Sequence, residues 1–272
     1  MAGDLAGGDA RSAALDVSGL EVTRIVSKED PGFETCYDKL WQEFGSLHEM
    51  EGREVIEQRL QWFPAAPVGK YWLRYEMALV RERGKFVAAR DQTAIVAERG
   101  GGAEAVVHMS HVLVDPSWRR TGLAGWLRAW PLQTARACLQ AAGYSPTSPI
   151  TLVAEMEHPS SDAQVARLRA YEKAGFKTMD RRLIHYLQPD FRSPAEIDDS
   201  GGPRPLAFGL VLRRVGREHE ATIRGAEARR IVESLYQMYG TTFRAKDMAA
   251  VYQTLASYPA DEAEIPLVQP TK

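Results

Sequence analysis

The run VDPSWRRTGLAGWL, Val114 to Leu127, passes from an apolar segment through a proline-bearing turn into two arginines, a glycine and a string of helix formers. The first amides of a helix have no carbonyl partner within it and carry a partial positive charge. A loop that wraps into a helix start therefore attracts an anion before any side chain is involved. Arg119-Arg120-Thr121-Gly122-Leu123-Ala124 has the composition for such a nest. Gly122 allows close backbone approach, the guanidiniums add charge at the rim, and small Ala124 leaves the path open. The same residues also fit a turn in which the glycine only eases a strand-to-helix corner. His108 and His111 raise a metal reading, but a spacing of three along a strand puts the rings on opposite faces, so one ion cannot use both and no metal is expected. The same alternation places His108 on one face with Ser110, Val112 and Val114.

These groups need elements to hold them. GLEVTRIV (19–26) alternates as a strand. Phe33, Tyr37, Leu40, Trp41 and Phe44, then Val55, Ile56, Leu60 and Phe63, recur at helical spacing and predict two short helices. EMALVRE and KFVAARDQTAIVAE flank a turn at Arg83-Gly84-Lys85, and the glycine-rich 98–104 returns the chain into AVVHMSHVLV, the third strand of a meander. From Gly122 to Ala142 an apolar stripe of Leu123, Leu127, Trp130, Cys138 and Leu139 predicts a long helix. Pro131 within it cannot bond the carbonyl of Leu127, so a kink or irregular turn is expected at 127–131. PITLVAEME (149–157) reads as a strand, followed by a helix with capping-box spacing at Ser161 and Gln164 and a left-handed end at Gly175. Segments 178–188 and 205–215 read as an antiparallel pair joined by a polar, mobile connector, and two helices close the chain. Their apolar residues, among them Ile231, Leu235, Met238, Val251, Tyr252 and Leu255, require cover from the sheet or from a second subunit.

This order predicts an α/β (α+β) architecture: a mixed, mostly antiparallel sheet of about six to seven strands flanked by helices, with one right-handed parallel strand-helix-strand unit from Val106 to Glu157. The domain reading is a disordered tail over 1–16, one domain over 17–216, and a helical extension over 217–272. The 272 residues carry 34 Lys and Arg against 36 Asp and Glu, a net charge of -2 that argues against a nucleic-acid partner. Cys36 and Cys138 are far apart and fit reduced, buried thiols; with no signal-like or membrane-spanning apolar run, a cytoplasmic protein without a membrane partner is expected.

The spacing Arg-x-x-Gly-x-Ala, preceded by Val112-Leu113-Val114-Asp115-Pro116 and followed by Tyr171-Glu172-Lys173-Ala174-Gly175-Phe176, resembles the GNAT superfamily of acyl-CoA-dependent N-acetyltransferases. The resemblance covers roughly residues 20–216 in element order and is specific over 112–125 and 170–176. It implies a GNAT-like fold and acetyl-CoA as co-substrate. Val112, Leu113 and Val114 would hold the pantetheine arm through their main chain, and Arg119, Arg120, Thr121, Gly122, Leu123, Ala124 and Gly125 would hold the pyrophosphate. Tyr171 would be the general acid for the departing thiolate. Where many members have an asparagine seven positions before that tyrosine, this chain has Gln164. Trp41, Trp62 and Trp72 would lie in the region that walls the acceptor.

The family fixes no general base, so it is sought in this chain. A protonated amine cannot attack until a base or a water chain takes its proton. Glu157 and His108 are preferred; Glu155 shares the strand end, and His158 is a weaker candidate on the acceptor side. The reading is transfer of an acetyl group from acetyl-CoA to a primary amine of a small molecule or peptide by direct attack in a ternary complex. A non-catalytic acyl-CoA sensor with a protein partner is the alternative, and a homodimer is compatible with either.

Overall fold

The computed structural model describes residues 2–62, 66–157 and 159–272; Phe63 and His158 lie outside the described residues. The contacts divide the chain into two compact units, 1–150 and 151–272, with the division at the start of a strand inside the span read as one domain.

The first unit contains α1 (Ala10–Ala14), β1 (Leu20–Ile25), α2 (Phe33–Phe44), α3 (Arg53–Leu60), β2 (Tyr71–Glu82), β3 (Lys85–Arg99), β4 (Gly102–His108), β5 (Val112–Val114) and α4 (Leu123–Ala141). Its strands run β1-β2-β3-β4, all antiparallel, with β5 also pairing β3. Two tight turns make the meander. Arg83 and Gly84, then Gly100 and Gly101, all take positive φ, which gives a two-residue loop the twist that flanking strands require. Helices cover both faces. Tyr75, Met77 and Leu79 pack under Phe33, Cys36, Leu40 and Ile56 of α2 and α3, while Val80 and Ala88 pack under Leu123 and Leu127 of α4.

The structure adds detail at two places in this unit. The tail read as disordered forms α1, and Ser12 within it is buried, because α1 docks on α4. Helix α4 also runs uninterrupted through Pro131. The carbonyl of Leu127 that the proline leaves without its helical donor is taken instead by a guanidinium NH of buried Arg90. Arg90 is held by Gln92 at 2.6 Å, Gln92 donates to Thr134 at 3.1 Å, and Thr134 donates to fully buried Glu76 at 2.6 Å, so the polar groups under the helix are mutually satisfied.

The second unit contains β6 (Ile150–Met156), α5 (Asp162–Lys173), β7 (Lys177–Met179), β8 (Tyr186–Gln188), α6 (Pro194–Asp199), β9 (Leu206–Arg214), β10 (Thr222–Arg224), α7 (Gly225–Gly240), α8 (Ala245–Gln253) and β11 (Glu264–Val268). The strands run β6-β9-β7-β11-β10, all antiparallel, with β8 also on β9. The strand expected over 178–188 is interrupted, since Asp180 opens a turn by accepting the amide of Arg182 at 2.9 Å. The connector read as mobile contains α6, fixed by a reciprocal capping box between Ser193 and Glu196. The extension read as helical also supplies β10 and β11, and β11 joins β7 of the sheet. With the breaks at 109–111 and 180–185, these additions bring the described strands to eleven. The apolar faces of α7 and α8 are covered within this unit, where Tyr236 stacks on Tyr186 at 5.2 Å between ring centroids.

The architecture is mixed α/β with mostly antiparallel strands flanked by helices. Among the described residues no helix is long and apolar enough to cross a membrane.

Candidate active site

The start of α4 is built by a chain of local turns. Asp115 accepts the amide of Ser117 at 2.9 Å and caps a single 3-10 turn, Pro116–Trp118. Arg120 then takes φ of 65° and Gly122 φ of 109°, two left-handed residues in three, which reverses the chain into the helix. Only the glycine does so without cost from a Cβ. Thr121 donates to the carbonyl of Trp118 at 2.8 Å and accepts the amide of Leu123 at 3.3 Å. Among the described residues the amides of Arg120, Thr121, Gly122 and Ala124 have no acceptor in the protein. Arg119, Arg120 and Ala124 are exposed, and neither arginine pairs with a carboxylate among the described residues. Arg119 Nε donates to the carbonyl of Val114 at 3.3 Å, which turns that guanidinium back along β5. Unpaired amides at a helix start beside two guanidiniums not neutralised by a carboxylate fit a diphosphate.

Strand β5, just before this loop, pairs only with β3 among the described residues, so its second edge is not taken up by a ladder. Val112 is exposed, whereas Leu113 and Val114 pack toward opposite faces. That edge suits an extended ligand arm held by main-chain groups.

Between β4 and β5 lies a bulge that sequence alternation does not reveal. Thr93 pairs with His108 and Arg90 with Val112, so Met109, Ser110 and His111 oppose only Asp91 and Gln92. The extra residue inverts the phase. Through its pairing with Thr93, and Thr93's with Tyr75, His108 lies on the face covered by α2 and α3. Arg90 and Val114, by contrast, face α4. His108 therefore shares its face with His111, not with Val112 and Val114 as alternation implied. It is buried, with Nδ1 at 3.1 Å from Ser110 Oγ.

His111 is committed elsewhere. Its Nδ1 lies 3.0 Å from an Asp91 carboxylate oxygen and its Nε2 lies 2.8 Å from the carbonyl of Glu49. Both neighbours are acceptors, so both ring nitrogens carry protons and the ring is an imidazolium. Burial pulls its pKa down, but the charge and hydrogen bond of Asp91 outweigh burial and push it up to about 9. Asp91 also accepts the amide of His111 and the hydroxyl of Tyr75, both at 2.8 Å; burial opposes its charge, yet these partners hold it below the usual range. This buried latch ties the bulge to the sheet, and alternation could not have found it. Among the described residues no group of three or more His, Cys, Asp or Glu is placed to hold a metal ion.

In the second unit Tyr171 is buried on α5, its ring edge-on to Phe176 at 4.9 Å. Ser161 caps α5 by accepting the amide of Gln164 at 3.3 Å. Gln164 accepts the amide of Ser160 at 2.7 Å and donates to Glu157 at 2.8 Å, so it orients an exposed carboxylate. Glu155 is half-buried and accepts from Gln188 at 2.6 Å, from Tyr239 at 3.2 Å and from Tyr186. The three tryptophans do not share one pocket. Trp41 stacks on Tyr37 and Trp62 lies beside Arg59, on the α2–α3 side, whereas Trp72 contacts Tyr144 beyond α4.

No family model matches the sequence, and no curated protein matches it. Solved structures do match, three of them as follows. A ribosomal-protein-S18-alanine N-acetyltransferase from Escherichia coli is 13% identical, with 72% of this chain and 94% of that one covered and a TM-score of 0.36. An acyl-CoA N-acyltransferase from Pseudomonas aeruginosa is 18% identical, with 71% and 99% covered and a TM-score of 0.37. An aminoglycoside acetyltransferase from an uncultured soil metagenomic sample is 14% identical, with 57% and 88% covered and a TM-score of 0.31.

Proposed function

We propose that the protein is an N-acetyltransferase of the GNAT kind, which moves an acetyl group from acetyl-CoA to a primary amine by direct attack in a ternary complex. The observation that carries this reading is the left-handed turn at Arg120 and Gly122, which leaves amides without acceptors at the start of α4 directly after a strand with an open edge. The loop Arg119–Gly125 would hold the pyrophosphate, and Val112–Val114 would hold the pantetheine arm through main-chain groups. Acetyl-CoA supplies the activated acyl group. The protein's work is to orient the two substrates and to move protons.

Tyr171 would donate a proton to the thiolate. Glu157 would take the ammonium proton; its exposure and its hydrogen bond from Gln164 support this choice over His108. His108 is buried at 3% exposure and would act through Ser110 or water. The amine is a small molecule or a peptide.

The test is release of free thiol from acetyl-CoA in the presence of a panel of polyamines, aminoglycosides, amino acids and peptides. Thiol release that depends on one class of amine is the expected result; coenzyme A binding with no release would replace the transferase by a sensor. Tyr171→Phe should lower turnover by about 10²-fold or more while coenzyme A affinity stays within about twofold. Unchanged turnover removes the tyrosine from the reaction.

A further inference from the structure

The N-terminal segment 2–14 packs on the reverse side of the anion loop. Ser12 Oγ donates to the carbonyl of Gly122 at 2.7 Å, and the carbonyl of Ser12 accepts the indole N–H of Trp126 at 2.7 Å. Farther along α4, Asp9 pairs with Arg128 at 2.6 Å and Asp4 with Arg136 at 2.7 Å. The fit is close enough to need both glycines. A Cβ on Gly122 would lie 2.6 Å from the carbonyl oxygen of Arg11, and one on Gly125 would lie 1.9 Å from Ser12 Oγ. Gly125 has ordinary helical φ, so its identity is explained by this contact and not by backbone conformation.

We propose that this segment is a strap that sets the anion loop in its binding conformation, with Ser12 as the positioning residue. The inference rests on reading the loop as the coenzyme A site. Its direction follows from which side is covered. The strap lies against the α-carbons of Gly122 and Gly125, while Arg119, Arg120 and Ala124 remain exposed with the strap docked. The strap therefore does not fill the side from which an anion approaches. Two left-handed residues in three form a conformation that a free loop visits rarely, and an outside clamp on the Gly122 carbonyl removes that cost from binding. By linkage, a ligand in the loop must hold the strap down to the same extent.

The experiment compares three proteins by calorimetric titration with coenzyme A: the full chain, Ser12→Ala, and a chain lacking residues 2–14. Thermal melts establish that all three are folded at the assay temperature. Ser12→Ala should weaken binding by roughly fivefold, the effect of one lost hydrogen bond, and the truncated chain by more. Trp126→Phe, which removes only the second clamp, should fall between the full chain and the truncated one. In the full chain, saturating coenzyme A should slow trypsin cleavage after exposed Arg11. Equal affinity in all the proteins makes the strap merely structural and overturns the proposal, and tighter binding on truncation makes it a plug and does the same. Failure of the full chain itself to bind coenzyme A is a different result, which removes the transferase reading and the strap's role with it.

Discussion

The start of α4 and the end of β6 handle polar groups in opposite ways. At the start of α4, amides are left without acceptors and the two guanidiniums without a carboxylate on the outer side, although the reverse side is tightly buttressed. At the end of β6, Glu155 accepts from three side chains and Glu157 from one. Donors left open in a rigid frame are suited to capturing a charged ligand, whereas a carboxylate ringed by internal donors is suited to holding a fold together. The difference separates two neighbouring glutamates that composition alone treats alike. Glu155 is a strut between β6, β8 and α7, whereas Glu157 has one tether and an exposed carboxylate, as the base proposed above requires.

The largest effect should come from the loop. Gly122→Val would force a β-branched side chain to φ of 109° and drive its Cβ onto the Arg11 carbonyl. Coenzyme A affinity should fall by about 100-fold, corresponding to the strain expected of such a residue in left-handed conformation together with the displaced strap. Gly143→Ala, at a left-handed helix end with open space around it, is the matched control and should cost stability only. Equal effects on affinity would erase the contrast between a loop built for a ligand and an ordinary helix terminus.

Next in size is the latch beneath the bulge. The pKa of His111 is raised in the folded protein, so its contribution to stability is complete below the unfolded value near 6.5 and is lost as pH rises through about 9. Chemical denaturation from pH 6 to pH 9.5 should show a decline of about 1–3 kcal/mol in the native chain that is absent in His111→Gln. Asp91 works in the other direction: its pKa is lowered, so its share is present above about 4 and lost as pH falls further. A flat profile in the native chain would mean that the ring is neutral and the donor assignment wrong.

The loop was legible in sequence because its conformation is written locally: a left-handed turn needs Gly122, and an apolar stripe declares the helix that follows. The hairpins at Arg83-Gly84 and Gly100-Gly101 were legible for the same reason. The bulge was not, because its extra residue exists only relative to the partner strand, and the residues 108–114 alternate just as well without it. The strap was hidden by composition. Polar, alanine-rich residues read as a tail, and the groups that hold Ser12 and Asp9 stand more than 100 positions away in sequence. Glu155 was undervalued for a related reason, since Tyr186, Gln188 and Tyr239 approach it only after two further elements fold over the strand.

The smallest effects decide between the two glutamates. Glu155→Gln replaces a carboxylate that accepts at both oxygens with an amide whose NH₂ faces donors, so one of Tyr186, Tyr239 or Gln188 loses its acceptor. Unfolding free energy should drop by about 1–3 kcal/mol, measured by denaturant titration. Glu157→Gln keeps the length of the side chain, and its only described partner, Gln164, can donate to an amide carbonyl as well as to a carboxylate. Stability should therefore change by less than about 0.5 kcal/mol, as for other exposed substitutions. If Glu157 is the base, turnover with the best amine should nonetheless fall, and the loss should shrink as pH is raised and more of the amine arrives already deprotonated. A fall in turnover that does not shrink at high pH would assign Glu157 to holding the ammonium rather than taking its proton, and a fall in stability would make it a second strut like its neighbour.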